Sequence, residues 1–343
     1  MRKVDIISLH PKPPGGPMEK IKSVKTRNDV LKLLTTALTH EWAVSFEYVI
    51  HAYSIPKGKY FYEDPILKQR TDVRAQTIQI GIDEMYHALQ LGIILTQMGA
   101  APTFRTDEVI RYPRIVDNLK RDKMTEETVT DLYQSAEVEP GAHPKVENMI
   151  WNISYDEVRH IDQFKAMIDT LEAAGNAEAL CLKASRERES REDLRLLHDI
   201  CRVENELMHR YLKYVMMFSE HQDLAQRLFK NAVNHMRHWD KTSGVLIKLG
   251  DVIAIENAET DDAGVERSLR PMPEEYPGTD RRSALETLVP AEKDLVAKYE
   301  KVIAVVPPGD VQDQLKLHLA LTREHVFTQE KLLANARRIK GIV

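Results

Sequence analysis

Two five-residue strings, DEMYH at 83–87 and DEVRH at 156–160, constrain this chain more than any other feature. Each is Asp-Glu-x-x-His inside a helical stretch. Residues three apart lie on one helix face, so Glu84 and His87 point the same way, as do Glu157 and His160. The second helix carries Ile80, Glu84, His87, Leu91, Ile94 and Met98 at spacings of 4, 3, 4, 3, 4. The fourth carries Ile150, Ile153, Glu157, His160, Phe164, Met167 and Leu171 at 3, 4, 3, 4, 3, 4. These are bundle-core seams with charged residues inside them. A buried carboxylate is costly unless paired or bound to metal. Two such pairs on facing helices, plus one Glu from each of two others, make a carboxylate-bridged two-metal site in a four-helix bundle.

The remaining helices supply candidates for the other two carboxylates. In the first helix, Glu41 shares a seam with Leu34, Leu38, Ser45, Tyr48 and Ala52, and Glu47 falls off it. In the third, Glu126 shares a register with Val129, Tyr133 and Ala136, with Glu127 as the fallback. A first-turn acid favoured by the helix dipole is the competing reading for Glu126. The predicted ligands are thus Glu41, Glu84, His87, Glu126, Glu157 and His160.

HEWAVSFEYVIHA (40–52), DEMYH and DEVRHID (156–162) resemble the bacterioferritin and rubrerythrin branch of the ferritin-like superfamily over about residues 29–174. That family's helix-one Glu stands seven residues before a Tyr, as Glu41 does before Tyr48. Its helix-three Glu stands ten residues before the Ala of a Leu-x-x-x-Ala segment, as Glu126 does before Ala136. A more local likeness joins YSIPKG (53–58), GIDEMYHALQLGIILTQMGAAP (81–102) and RYP (111–113) to the ferritin-like domain of iminophenylpyruvate dimer synthases. Those enzymes serve bisindole pigment pathways, so this likeness implies natural-product oxidation.

The 343 residues, 43% hydrophobic and 29% charged, suit about two domains of ordinary soluble composition. A net charge of −5 with interleaved acids and bases offers no basic patch for nucleic acid. No apolar run approaches the roughly 18–20 residues that span a bilayer, and the apolar stretch near the N-terminus is too short for a signal sequence. A cytoplasmic protein with a short arm over 1–27 is expected. Cys181 and Cys201 form neither a disulfide framework nor a Cys-x-x-Cys site. A rubredoxin-type electron donor is therefore not built in, and electrons would come from an external donor or from the substrate.

Helices are expected over 28–54, 65–99, 124–139, 143–174, 190–218, 221–250, 290–304 and 310–339, with strand-like alternation nearly absent. Residues 175–189 divide the chain. The stretches at 100–123 and 251–289 are long for connections, and each falls between the second and third helices of its half. The halves also share landmarks. HEWAVSFEY (40–48) parallels VENELMHRY (203–211), DEMYH parallels NHMRH (234–238), and Gly99 parallels Gly250. Tyr133 before EPG (139–141) parallels Tyr299 before PPG (307–309), which pairs Glu126 with Glu292. Counting from the Pro-Gly turns with one residue deleted pairs Glu157 with Glu324 and His160 with Phe327. The fold expected is all-α, two tandem ferritin-like four-helix bundles over 28–175 and 190–343. The second site is altered or empty: Glu204, His235, His238, Glu292 and Glu324 could hold one metal, or pair among themselves.

Four Glu and two His suit Fe or Mn better than Zn or Cu(I). Asp83 and Asp156 are placed to orient the His of the opposite helix. Tyr48 is either a redox-active phenol or a packed one with a single hydrogen bond. His40 and His51 lie off the seam, in solvated or outer positions. The loop 53–65, with Tyr60, Phe61 and Tyr62, is either a lid over a substrate channel or a packed surface loop. The function expected is a two-metal oxygenase or oxidase acting with O₂ or peroxide on a small organic substrate. Iron oxidation and storage, or peroxide disposal, is the alternative, and a homo-oligomer is compatible with either.

Overall fold

The computed structural model describes residues 24–136, 138, 141 and 143–338. The arm expected over 1–27 lies outside the described residues up to residue 23, as do Glu139 and Pro140 of the first Pro-Gly turn. Eight helices carry the fold: α1 (Arg27–Ser54), α2 (Val73–Gln97), α3 (Ile115–Ser135), α4 (Pro144–Ala173), α5 (Glu192–Met217), α6 (Gln222–Lys248), α7 (Arg281–Val305) and α8 (Asp310–Arg338). α1 to α4 pack into one four-helix bundle and α5 to α8 into a second.

Local chemistry explains the helix starts. Thr26 caps α1 in a reciprocal capping box with Asp29, and Asp280 does the same for α7 with Ser283. The Asp72 carboxylate accepts from Ala75 N at 2.9 Å and starts α2 there, not at residue 65. The segment before it is a hairpin of β1 (Phe61–Glu63) and β2 (Arg70–Asp72). The Asp64 carboxylate holds its turn by accepting from Ile66 N and Leu67 N. Tyr60 and Tyr62 are buried against Val73, Phe164 and Leu171, so this loop is packed against the bundle.

α3 starts at Ile115, nine residues before the expected boundary, because Ile115, Val116 and Leu119 bury into the same cluster. α7 likewise starts before Pro290, which lies inside the helix on an exposed face. The Asp280 cap together with burial of Ala284, Leu285, Leu288 and Val289 outweighs the helix-breaking tendency of that proline.

The two long connections meet each other. β3 (Val109–Arg111) from the first pairs antiparallel with β5 (Glu266–Ser268) from the second, and β5 also pairs with β4 (Glu259–Thr260). Arg111 reinforces the join by pairing with Glu266 and donating to Ile253 O at 2.9 Å.

α1 is the axis of the molecule. It is buried almost all round, as its continuous apolar composition demands. One face points into the first bundle. The other meets the second bundle: Phe46 stacks on Trp239 at 5.7 Å, Trp42 meets His209 edge-on at 4.9 Å, and Tyr53 donates to Asp240 O at 2.8 Å. One hydrophobic core accordingly runs through both halves. Among the described residues no helix is long and apolar enough to cross a membrane.

α2 meets α5 where a Cβ on Gly92 would overlap Met216 Sδ. Gly92→Leu should therefore destabilise the protein by about 1–3 kcal/mol, the usual cost of overpacking. Adding Met216→Ala should recover much of that loss in denaturant melts. An unchanged midpoint for Gly92→Leu alone would show that the helices are not held at this distance.

Candidate metal centre

Four helices each aim a carboxylate at the middle of the first bundle. Glu41 from α1, Glu84 from α2, Glu126 from α3 and Glu157 from α4 are all buried, with His87 and His160 beside them. Their ligand atoms form two groups, Glu41, Glu84, His87 and Glu157, and Glu84, Glu126, Glu157 and His160, with the atoms of each group mutually within 4.8 Å. Glu84 and Glu157 belong to both. His87 Nδ1 lies 2.9 Å from Glu84 and 3.2 Å from Glu157. His160 Nδ1 lies 2.8 Å from Glu84 and 3.6 Å from Glu126. Glu127, the fallback on α3, is exposed and pairs with Lys123.

His87 Nδ1 and Glu84 Oε2 are within hydrogen-bond reach, but most of the cluster's atoms are not so paired. Glu41 Oε2, Glu84 Oε1, both oxygens of Glu126, both of Glu157 and His160 Nδ1 are buried without a hydrogen-bond partner. Such atoms are rare in folded proteins, since each forfeits solvation without compensation. Converging on one volume, they fit a pair of cations, and oxygen ligands with two imidazoles suit redox metals such as Fe or Mn.

The side chains alone are electrostatically strained. Burial pushes the Glu41 carboxyl up to about 7, although His87 opposes the shift. Burial, with the Glu84 and Glu126 charges adding, pushes Glu157 well above the carboxylate range. Burial would also raise Glu84, but His87 and His160 outweigh it and hold that carboxyl well below its usual value. Tyr133 donates to Glu41 Oε1. It is a phenol on the centre whose place in the α3 seam was legible, but whose partner was not.

The outer nitrogens face aspartates across the bundle. His87 Nε2 is 3.5 Å from Asp156 on α4, and His160 Nε2 is 3.4 Å from Asp83 on α2. Arg159 ties both aspartates together, 3.3 Å from Asp83 and 3.2 Å from Asp156. A carboxylate facing Nε2 favours the tautomer with hydrogen there and leaves the Nδ1 lone pair turned inward.

Tyr48 is buried near the centre but touches none of the six residues through its hydroxyl. It bonds Thr125 Oγ1 at 2.7 Å and Asp122 O at 3.3 Å. His40 and His51 are both buried rather than solvated. His51 bonds Asp122 Oδ1 through Nδ1 and Ile110 O through Nε2, each at 2.6 Å. Glu47 accepts from Ile110 N at 2.7 Å and Arg121 Nε at 3.0 Å. With both nitrogens of His51 directed at acceptors, no lone pair remains for a metal, and this cluster fastens β3 and α3 to α1.

The second bundle gathers Glu204 from α5, His235 and His238 from α6, and Glu292 from α7. Glu324 does not join them. It is exposed on α8, and Phe327 is exposed beneath Lys331. The buried seam of α8 is His318, Thr322, His325 and Gln329, spaced 4, 3, 4 and so readable as a core stripe. His325 takes the place of His160, and Thr322 that of Glu157: His325 Nδ1 lies 3.4 Å from Glu292 and its Nε2 bonds Asn234 at 3.0 Å. Counted from the glycine of each Pro-Gly turn, Thr322 lies 13 residues on and Glu157 lies 16, so three residues are missing where one deletion was expected.

The sequence model of the ferritin-like family matches residues 34–136, from within α1 to the end of α3. No curated protein and no solved structure matches the chain.

Replacing Asp83 and Asp156 together with Ala should weaken metal binding at this centre about 10–100-fold, as loss of ligand-orienting groups generally does. Chelator competition measures this, and an unchanged affinity would remove the aspartates from the centre. The pH response is also signed. A buried carboxyl with a raised pKa loses folded-state stability as pH rises from its unfolded value, so metal-free protein loses the Glu41 contribution between about pH 4.5 and 7. Metal binding needs deprotonated ligands and strengthens over the same range. The Tm difference between metal-loaded and chelator-treated protein should thus widen from about pH 5 to 7. Parallel profiles would contradict the assignment.

Proposed function

We propose that this chain, a member of the ferritin-like superfamily, is a non-haem two-metal oxidoreductase whose first bundle holds two Fe or Mn ions. One observation carries this reading: the two ligand groups share Glu84 and Glu157, while Glu41 with His87 and Glu126 with His160 complete one group each. That arrangement would suit two adjacent cations with bridging carboxylates. Two redox metals held there would supply the two-electron reduction of O₂ or peroxide, with a small organic molecule as the compound oxidised.

The protein's own groups prepare the site. Tyr133 orients Glu41, Asp83 and Asp156 set the imidazole tautomers, and packing around the buried ligands excludes water. The second bundle is read as a diverged copy of the first, occupying about 190–343. Its contacts cover the outer face of α1 at Trp42 and Phe46. A closed storage shell of single compact bundles would have to accommodate this fused partner, which favours a discrete enzyme. The chain has only two cysteines, both buried, so peroxide disposal would depend on an external reductant. The local likeness to iminophenylpyruvate dimer synthases favours a biosynthetic oxidation in the cytoplasm.

Adding O₂ to anaerobic Fe(II)-loaded protein, with and without small-molecule extracts, tests the reading. Oxygen uptake should rise several-fold with substrate and fall to background in Glu84→Ala. Hundreds of Fe(II) oxidised and retained per chain, in a large hollow assembly, would replace the enzyme with iron storage.

A further inference from the structure

The second bundle keeps the scaffold of the first centre but changes its charge. Glu204, Glu292 and Tyr299 stand where Glu41, Glu126 and Tyr133 stand in the first, and Tyr299 donates to Glu204 as Tyr133 does to Glu41. Two carboxylates have gone: His235 replaces Glu84, and Thr322 replaces Glu157, its hydroxyl turned back to His318 O at 2.9 Å. Four buried glutamates balance two divalent ions, whereas two balance one.

The imidazole in the middle decides the stoichiometry independently. His235 Nδ1 lies 2.6 Å from Glu204, and its Nε2 lies 3.1 Å from Glu292. Ligand atoms group on both sides of the ring: Glu204, His235 and His238 on one, His235, Glu292 and His325 on the other. A neutral imidazole has one lone pair and one N–H. It can therefore ligate on one side only, while the other nitrogen donates to the remaining carboxylate.

Unsatisfied atoms choose the side. Glu292 Oε2 and His325 Nδ1 are buried without hydrogen-bond partners, and both belong to the Glu292 group. Glu292 Oε1 is already shared by Tyr211 and His235, which leaves only Oε2 free, whereas on the other side both Glu204 oxygens have partners, Oε1 with Tyr299 and His238 and Oε2 with His235. Of the ring nitrogens there, the orphan is His238 Nε2, while the same ring's Nδ1 is the one lying 3.2 Å from Glu204.

We propose that the second bundle binds a single divalent transition-metal ion through His235 Nε2, Glu292 and His325 Nδ1, with Glu204 accepting the proton on His235 Nδ1. Glu204 acts as a positioning residue, a carboxylate behind a ligating histidine. Two imidazoles and one carboxylate suit borderline ions such as Fe(II), Co(II) or Zn(II) rather than Mg(II) or Ca(II). The amide nitrogen of Asn234 lies 3.0 Å from His325 Nε2, and the oxygen and nitrogen of that amide exchange by a half-turn. With the oxygen toward the ring it accepts from Nε2–H and leaves the Nδ1 lone pair free for the ion.

This site is independent of the reading of the first bundle, and the test keeps them apart. Full-length chain is equilibrated anaerobically with Co(II), dialysed, and analysed for cobalt per chain and for its visible spectrum. The near-isosteric Glu292→Gln and, separately, His325→Gln should each lose one equivalent relative to wild type, whatever the first centre holds. Glu204→Gln should keep that equivalent but bind it about 10–100-fold more weakly. His238→Ala should keep it with the spectrum unchanged. Matching far-UV circular dichroism of the metal-free proteins controls for folding. The same cobalt count in wild type, Glu292→Gln and His325→Gln would overturn the site. Loss of the equivalent in His238→Ala, with retention in His325→Gln, would overturn the choice of side.

Discussion

The first bundle depends on one unfavourable interaction, the burial of four carboxylates around a common volume. Glu41, Glu84, Glu126 and Glu157 are each no more than 1% exposed. Desolvating a single carboxylate is already costly, and like charges brought together in low dielectric add to it. Two imidazoles offset only part of that charge, and the oxygens left without hydrogen bonds show that protein groups do not complete the balance. The ion-pair bridge of Asp83, Arg159 and Asp156 closes the side where α2 and α4 meet, with one aspartate facing the outer nitrogen of each histidine. Four helices from different parts of the chain are thereby committed to one register.

The second constraint is the double duty of α1. Glu41 and Tyr133 meet on one of its sides, while Trp42 and Phe46 pack against the second bundle on the other. A cavity of about 500 Å³ opens beside Phe46, between α5, α6 and the segment from Ile253 to Tyr276. None of its lining residues belongs to the six-residue centre of the first bundle. Shape of the cavity and chemistry of the centre thus lie on different sides of α1, and the second long connection builds one wall of the former.

The two centres illustrate how one scaffold accommodates different charge. Where Glu84 stands between the ligand groups of the first, His235 stands in the second and can itself take up a proton. Burial would lower the basicity of His235, but Glu292 and Glu204 outweigh it and raise its pKa to about 10. A proton can stand in for a cation there. In the first bundle burial likewise pushes Glu41 and Glu157 up toward protonation, but four carboxylates to two histidines leave more negative charge to balance.

Much of the first centre was legible because its rules are local. The i, i+3 relation places Glu and His on one face without reference to anything distant, and the apolar residues at 3 and 4 spacings show that the face is buried. Glu41 and Glu126 could be chosen over Glu47 and Glu127 by seam alone, although Glu47 proved buried too, in a network with Arg121 and Ile110. The α8 ligand position was misplaced because length differences in a turn leave no local mark. The 4, 3, 4 spacing of His318, Thr322, His325 and Gln329 was the available signal, and packing shows that this stripe, not Glu324 or Phe327, faces the core. The starts of α2, α3 and α7 moved for a related reason: Asp72, the Ile115–Leu119 cluster and Asp280 act through caps and distant partners that outweigh local pattern. The sequence by itself determined the helical class and the Glu–His pairs that share a buried face within α2 and α4. The tertiary structure decided which unlike helices meet, that β3 pairs with β5, and that Tyr133 holds Glu41, because these contacts join residues far apart in the chain whose pairing no periodicity encodes.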